Sequence, residues 1–481
     1  MQSKQLYING QLVKGAHSEE IVSPATGEVV GVIEAANVAQ VEIALEAAKA
    51  AFPVWSKTPA RERAEWMHKL AAAAKENEEQ LRLCVHHEMG KPWAATADDF
   101  QMLVDSLEFY AKEIVSLEDE VLEDAEGTHS HILVREPVGV VGAFLAWNFP
   151  LLNLAYKLGP ALAAGCPIVV KPSVKTPLSA YAVGALCAEI GLPAGVVNIV
   201  CGSDRDIGDT ISASRIPAML TLIGSTATGQ HVIRTGATSI KRYSMELGGN
   251  APVLVFADAD LDRAADTICA LKFGNSGQIC VAPNRVLADK AIVEELTSKI
   301  VERTSAVKVG YDRNDDIDMG PLMDAASWAR VDREVQGAVQ SGAELLLGGK
   351  RPDALPSGYF YAPTVLANVT PDMSVVKNEI FGPVVSIMTF EDEAQALDLA
   401  NDTDAGLTAY IFTSDEARAS RLARELRFGE IQVNGVKYAI NLPHGGIKQS
   451  GIGVDCSHLA LDDYLSYKRI SRALPQLETA R

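Results

Sequence analysis

Val138-Gly139-Val140-Val141-Gly142-Ala143-Phe144-Leu145-Ala146 is an almost unbroken apolar run, and it stops at the polar turn Trp147-Asn148-Phe149-Pro150. A short run without polar alternation is what a parallel strand covered on both faces requires. Pro167-Ile168-Val169-Val170 repeats the pattern, and helical stretches at about 151–164 and 177–190 follow the two runs. Further strand-like runs lie at 196–200, 218–223 and 252–256. Strands alternating with helices predict a doubly wound α/β sheet. Such sheets bind ligands beyond the carboxyl ends of their strands. The turns there are Trp147–Pro150, Lys171-Pro172-Ser173 and Gly224-Ser225-Thr226, and a nucleotide is expected across them.

Upstream, residues 6–35 read as short strands with turns at Asn9-Gly10 and Pro24-Ala25-Thr26-Gly27. Asn37 caps a helix through Phe52, with Gln40 as its capping-box partner. Pro59 opens a second helix carrying Trp66, Leu70 and Leu81, and a third runs from about Ala95 to Ile114. Residues 117–126 hold six acids, read as a solvated surface. His129 to Glu136 alternates like an exposed strand, and a last strand near 463–470 is a candidate to pair with it, within the chain or across a subunit boundary. Downstream, helices near 260–272, 290–305 and 325–341, strands such as Arg285–Ala288 and a Gly/Pro-rich loop at 348–363 predict a second α/β unit.

A chain of 481 residues is too long for one ordinary core and suggests two or three domains. Its net charge of −19 argues against a surface for nucleic-acid phosphates or anionic membrane. The N-terminus has no signal-like apolar core, and no run approaches the roughly 18 apolar residues of a spanning helix. Seven cysteines without a CxxC pair fit neither a disulfide framework nor a zinc ribbon, so the reduced cytoplasm is the expected compartment. No metal site is expected: His86-His87-Glu88 is not HExxH, and His129 and His131 share one strand face.

Phe273-Gly274-Asn275-Ser276-Gly277-Gln278-Ile279-Cys280 places a thiol after a glycine-containing polar turn. On this turn alone, Cys280 reads either as a nucleophile or as a buried small hydrophobe. Gly224 to Gly229 is only a partial dinucleotide fingerprint, yet it follows a strand and opens a helix expected at Thr228–Arg234, whose free N–H groups suit a pyrophosphate. Glu246 precedes Gly248-Gly249 and by itself reads as a cap or a surface charge; Lys377 to Pro383 reads as a loop.

Taken together, these segments resemble the NAD(P)-dependent aldehyde dehydrogenase superfamily. The resemblance rests on Pro137-Val138-Gly139-Val140, Trp147-Asn148-Phe149-Pro150, Lys171-Pro172-Ser173, Gly224-Ser225-Thr226, Glu246-Leu247-Gly248-Gly249, Gly277-Gln278-Ile279-Cys280, Glu379-Ile380-Phe381-Gly382-Pro383 and Gly445 to Gly451, in the family's order across essentially the whole chain. It implies a Rossmann-like cofactor domain (1–115 and 138–249), a second α/β catalytic domain (250–449) and a small β oligomerisation flap with a C-terminal tail (116–137 and 450–481). It further implies that Cys280 attacks an aldehyde, that Asn148 and the Cys280 N–H hold the oxyanion, and that hydride loss to nicotinamide leaves a thioester. Glu246 then activates the hydrolytic water. Lys171 and Ser173 correspond to adenosine-ribose contacts, Gly224 and Ser225 to the pyrophosphate turn, and Glu379 to a nicotinamide-ribose contact with Phe381 nearby. Trp147 lines the junction of the two pockets. The resemblance also implies a homodimer or homotetramer.

Two departures bear on specificity. Val174 stands where many NAD-preferring relatives have Glu, and Lys175 follows, so NAD and NADP both remain open as cofactors. Tyr156 stands where succinic-semialdehyde and lactaldehyde relatives commonly place Arg, which argues against a small dicarboxylic semialdehyde. His444 in Pro443-His444-Gly445-Gly446 replaces a frequent Phe and, with Asp455 to Ser457, resembles aminobutyraldehyde- and lactaldehyde-type members. Asn153, Tyr156, Ile279, Val281 and His444 are the substrate-side positions. Asp98 and Asp99 read as exposed helix acids. A small aliphatic hydroxy- or amino-aldehyde is the expected substrate; the alternatives are a semialdehyde and a non-catalytic binding homologue. CoA-acylating relatives usually lack the base at the Glu246 position, so Glu246 points to hydrolysis.

Overall fold

The computed structural model describes residues 4–313 and 316–475. Residues 1–3 of the N-terminal stretch and 476–481 of the expected tail lie outside the described residues.

The opening run forms the strand Val140–Phe144, every residue of it buried, between Pro217–Ile223 and Ile168–Lys171. From Val140–Phe144 the chain winds outward through Ile168–Lys171 to Val197–Ile199, then returns to the other side for Pro217–Ile223 and Arg242–Glu246. These five strands are mutually parallel. The winding therefore reverses between Val140–Phe144 and Pro217–Ile223, which opens the crevice where α/β sheets take their ligands. Antiparallel strands close both edges: Gly451–Ile452 beside Arg242–Glu246, and Leu6–Ile8 with Gln11–Val13 beyond Val197–Ile199.

A second, seven-stranded sheet runs Glu344–Leu347, Thr364–Ala367, Val384–Phe390, Pro283–Asp289, Ala251–Val255, Thr408–Phe412, Glu430–Val433, parallel except at its first pair. A third sheet joins Leu465–Ala473 to His129–Pro137 and Glu120–Leu122. The expected pairing of the last strand is thus made within the chain, with Leu465 opposite Pro137 and Ala473 opposite His129. Hydrophobic cores follow the sheets: one cluster holds residues between 6 and 247 together with Ala460 to Leu465, and two others line the second sheet. No helix among the described residues is long and apolar enough to cross a membrane.

Several local expectations change. The Asn37 capping box is present, but the helix runs to Trp55, past Pro53, instead of ending at Phe52. The single helix expected through Trp66 and Leu81 is two, Ala60–Glu76 and Glu78–Met89, because Asn77 leaves helical geometry and donates its side-chain amide back to Ala73 O. Asp99 is fully buried, not exposed: it pairs with Lys91 at 3.0 Å and accepts the Leu152 N–H at 2.7 Å. That pair fixes the start of the helix Pro150–Ala164, with Lys91 Nζ 3.6 Å over the Phe149 ring.

Candidate active site

The turn before Cys280 is built from three successive left-handed residues, Asn275 (φ 48°), Ser276 (φ 57°) and Gly277 (φ 70°). Non-glycine residues enter this region only when their surroundings hold them there. Here they do. Asn275 Nδ2 donates to Asn148 O and Gln278 O, Ser276 Oγ donates to Gly320 O, and the Gln278 amide is bonded to Asn275 O, Pro321 O and Met323 N. A Cβ on Gly277 would lie 2.2 Å from Gly382 O, so only glycine fits. The turn delivers Cys280, the one cysteine of the seven that is not buried, to the wall of the cleft.

Glu246 ends the strand Arg242–Glu246, with its carboxylate directed to the same point. The two glycines after Leu247 allow neighbours to close in. A Cβ on Gly248 would sit 2.6 Å from Glu379 Oε2, and one on Gly249 would sit 2.2 Å from Cys280 O. Glu246 Oε1 is buried with no hydrogen-bond partner among the described residues. Its nearest cationic neighbour is His444 Nε2 at 3.7 Å. Donor atoms of Glu246, Cys280 and His444 all lie within 4.8 Å of one another. Desolvation, with Glu246 adding to it, pushes the Cys280 thiol pKa up, and His444 pulls it back.

Asn148 Nδ2 donates to Gln278 O at 3.0 Å, which leaves its second N–H available. Asn153, expected at the substrate, instead holds Asn148: its Nδ2 donates to Ala146 O at 3.1 Å and Asn148 Oδ1 at 3.3 Å. Tyr156 packs with Ile223 and Cys456, its ring 6.0 Å from that of His444. Val281 accepts the Tyr410 hydroxyl on its carbonyl at 2.7 Å, and Ile279 is half-buried beside the thiol. Sequence reading passed over Glu430, whose Oε1 lies 2.6 Å from His444 Nδ1. Its only signal is a carboxylate opening the otherwise uncharged strand Glu430–Val433.

On the other side of Cys280, a cleft of about 500 Å³ follows the carboxyl ends of the first sheet. It is lined by Trp147, Lys171, Ser173, Val174, Gly224, Ser225, Glu379 and Phe381, all expected there. Ser225 caps the helix Thr226–Gly236, accepting from Thr228 N, so the cleft meets a helix N-terminus. These features fit a dinucleotide. Trp147 and Phe381 meet edge to face at 5.5 Å, where the cleft reaches the thiol. Glu379 accepts the Gly249 N–H at 3.1 Å, and burial raises its carboxyl pKa to about 7. Burial likewise lowers Lys272, behind it, to about 7. Lys175 departs from expectation. It is absent from the cleft lining, because its Nζ is drawn to Asp324 at 2.5 Å, close to the Trp147 face. Arg205 and Arg330, not expected from the sequence, line the cleft instead.

A cleft at the carboxyl ends of a doubly wound sheet that reaches a thiol and a buried carboxylate is an arrangement suited to an oxidoreductase. Comparison with known proteins gives the family: the description "Aldehyde dehydrogenase family" matches residues 13–470. Mitochondrial succinate-semialdehyde dehydrogenase of Oryza sativa is 38% identical, covering 94% of this chain and 85% of that protein. The 3-sulfolactaldehyde dehydrogenase of Pseudomonas putida is 36% identical over 97% of this chain and 96% of its own length. A solved succinate-semialdehyde dehydrogenase from Burkholderia pseudomallei superposes with a TM-score of 0.95 at 37% identity, covering 98% of each chain. A Staphylococcus aureus betaine aldehyde dehydrogenase in complex with NAD+ also gives 0.95, at 32% identity, covering 100% of this chain and 96% of that one. The chain belongs to the aldehyde dehydrogenase family. It is an NAD(P)-dependent enzyme that oxidises an aldehyde to the acid.

Proposed function

We propose that Cys280 is the nucleophile of this reaction, Glu246 its hydrolytic base and Asn148 its oxyanion donor, acting on a small aliphatic hydroxy- or amino-aldehyde. The convergence of Cys280 and Glu246 where the cofactor cleft ends carries the reading. Attack by Cys280 Sγ on the carbonyl carbon gives a tetrahedral thiohemiacetal, its oxygen stabilised by the free Asn148 N–H and the Cys280 backbone N–H. Bound NAD(P)+ supplies the acceptor for the hydride that this carbon loses. Glu246, with one oxygen unpartnered, accepts the proton of the water that cleaves the thioester, and Cys280 is released. Lys171, Ser173, Ser225 and Glu379 hold the cofactor, with Trp147 and Phe381 closing its reactive end.

The substrate reading follows from charge. His444 stands near the thiol, between Glu246 and Glu430, and the Tyr156 and Tyr438 rings pack against it at 6.0 Å. Lys157 is committed to Asp455 at 2.6 Å. Among the described residues the cations beside the thiol, His444 and Lys157, are already paired with carboxylates, whereas a hydroxyl or amine finds acceptors; Lys437, exposed on the segment before His444, is the one charge that favours an anion instead. The relatives favour a second reading, a semialdehyde, since several carry succinate- or glutarate-semialdehyde in their names; another, from Pisum sativum, is an aminoaldehyde dehydrogenase.

We also infer that the first and second sheets are the cofactor and catalytic domains, that the third sheet mediates a homodimer or homotetramer, and that the enzyme works in the cytoplasm. NAD and NADP both serve, because Val174 presents no acid to the cleft. The test is NAD(P)H absorbance over a panel of aldehydes with each cofactor. Hydroxy- or amino-aldehydes are expected to exceed succinic semialdehyde in kcat/KM; succinic semialdehyde as best substrate would overturn the substrate reading.

A further inference from the structure

The Glu430–His444 pair has no part in the reaction as described so far, yet it is built with care. Both side chains are about nine-tenths buried, and His444 Nδ1 lies 2.6 Å from Glu430 Oε1. The backbone of His444 is pinned by two hydrogen bonds with Asp455, His444 N–H to Asp455 O at 2.8 Å and Asp455 N–H to His444 O at 2.7 Å. Gly445 N–H donates to Glu430 Oε1 and Thr408 Oγ1 to Glu430 Oε2, both at 3.3 Å, so the carboxylate is fixed as well. With Nδ1 occupied, the imidazole offers Nε2 to the Glu246 and Cys280 side. Carboxylate, imidazole and thiol stand in series, the arrangement that activates a nucleophile.

A physical conflict at the site calls for such a group. A Cys280 thiolate beside the Glu246 carboxylate is opposed by like charge as well as by desolvation. His444, with Nε2 3.7 Å from Glu246 Oε1 and within 4.8 Å of the thiol, opposes both effects. We propose that His444, oriented by Glu430, takes the proton of the Cys280 thiol and returns it when the thioester is cleaved, so that Glu246 acts on water alone. In the first half, the S–H bond breaks, Nε2–H forms, the sulfur lone pair bonds the carbonyl carbon and the C=O pair moves to oxygen; that pair re-forms C=O as the carbon gives its hydride to the NAD(P)+ of the established reaction, leaving the thioester. In the second half, water adds to the thioester carbon as Glu246 accepts one of its protons. The C–S bond then breaks, its electron pair stays on sulfur, and the His444 proton reforms the thiol. His444 is thus a catalytic residue and Glu430 a positioning residue.

The surroundings favour the imidazolium that forms when the neutral ring takes the thiol proton. Facing His444 are Glu430 from its strand, Glu246 from the first sheet, Cys280 from its turn, Tyr156 from the helix Pro150–Ala164, Tyr438, and Asp455 with Cys456 from the segment that pins it. Lys157 neutralises Asp455. Burial pulls the His444 pKa down, but its interactions with Cys280, Glu246 and Glu430 outweigh this and hold it well above the ordinary value.

The proposal rests on Cys280 as nucleophile, and its test does not depend on turnover. Alkylation of the purified, cofactor-free enzyme by iodoacetamide is followed from about pH 5 to 9, a window that spans imidazole titration. Cys280→Ala gives the background of the six buried cysteines. Wild type is expected to label faster than either the His444 or the Glu430 variant across the window, with reactivity that persists to lower pH than theirs. In His444→Phe the rate near pH 7 is expected to fall about 100-fold, with the profile moved to the alkaline side. Glu430→Gln is expected to fall about tenfold, one pH unit of lost thiolate. Should His444→Phe not fold, His444→Gln carries the same expectation. A folded His444 variant that labels with the wild-type pH profile would overturn the proposal. Failure of Cys280 as nucleophile shows separately, as aldehyde oxidation surviving in Cys280→Ala.

Discussion

Asn275 and Ser276 each carry a left-handed backbone that costs on the order of 1–3 kcal/mol, and the hydrogen bonds of Asn275, Ser276 and Gln278 offset it. The strain sets the thiol at the cleft wall, and Gly249 completes the placement from behind. Gly249→Ala puts a methyl 2.2 Å from Cys280 O, so the backbone of one must shift. We expect kcat to fall at least about 100-fold, since displacements near 1 Å at a reacting centre cost that much; wild-type kcat in a folded variant would contradict this. Glu379 gives a pH signature. Its carboxyl, raised from the ordinary 4.5 to about 7, is neutral below that pH, whereas the cationic nicotinamide end of the cofactor favours the ionised form. NAD+ affinity should therefore weaken as pH falls through about 7, and Glu379→Gln should flatten the dependence; fluorescence titration at several pH values checks it. Of these residues, Cys280, Glu246 and Glu379 are legible in the sequence only as a spaced set. Gly249 is legible as a glycine, but not what it touches. Glu430 is hard to read because its partner is 14 residues away and a single acid at the start of a strand is a weak local mark.

The helix Pro150–Ala164 carries the link from the fold to the site, because Asn148 and Phe149 lead into it and Asp99 caps its first turn. Removing that carboxylate strands the Lys91 ammonium in the interior. Asp99→Ala should cost about 3–5 kcal/mol, read from urea denaturation, and should lower activity through Asn148; a loss below about 1 kcal/mol would contradict the assigned role. Apolar runs and caps made most elements readable: Val140–Phe144, Ile168–Lys171 and the capped helix from Val38 follow from pattern alone. The strand Arg242–Glu246 does not, because a short polar segment fits no strand template and is held by pairing with Pro217–Ile223. The helix Arg205–Ala213 has local signals of its own, an Asp204 cap and buried Ile207 and Ile211 four residues apart. The break at Asn77 is hidden for a related reason, since its flanks are all good helix formers.

Of the four sheets among the described residues, the three-stranded one bears on assembly. The strand Leu465–Ala473 has an open edge among the described residues, and Val121, Tyr467 and Ile470 on this sheet are exposed. An open edge with apolar side chains invites pairing with another copy. Ile470→Asp should shift the mass in solution toward the monomer, measured by light scattering; an unchanged mass would contradict the role given to this sheet. At the cleft, Val174 offers no repulsion to a 2′-phosphate and Lys175 is held by Asp324. NAD and NADP should therefore differ in kcat/KM by less than about 100-fold, roughly 2.7 kcal/mol, and a greater preference for NAD would contradict that reading. The central claim is a covalent acyl step on Cys280 resolved by Glu246. Its most direct measurement is rapid-mixing absorbance and intact-protein mass on wild type, Cys280→Ala and Glu246→Gln with one aldehyde and cofactor. The account predicts that Glu246→Gln gives a stoichiometric burst of NAD(P)H and a stable acyl adduct, while Cys280→Ala gives neither. Turnover by Cys280→Ala, or a Glu246→Gln enzyme that hydrolyses at the wild-type rate, would contradict it.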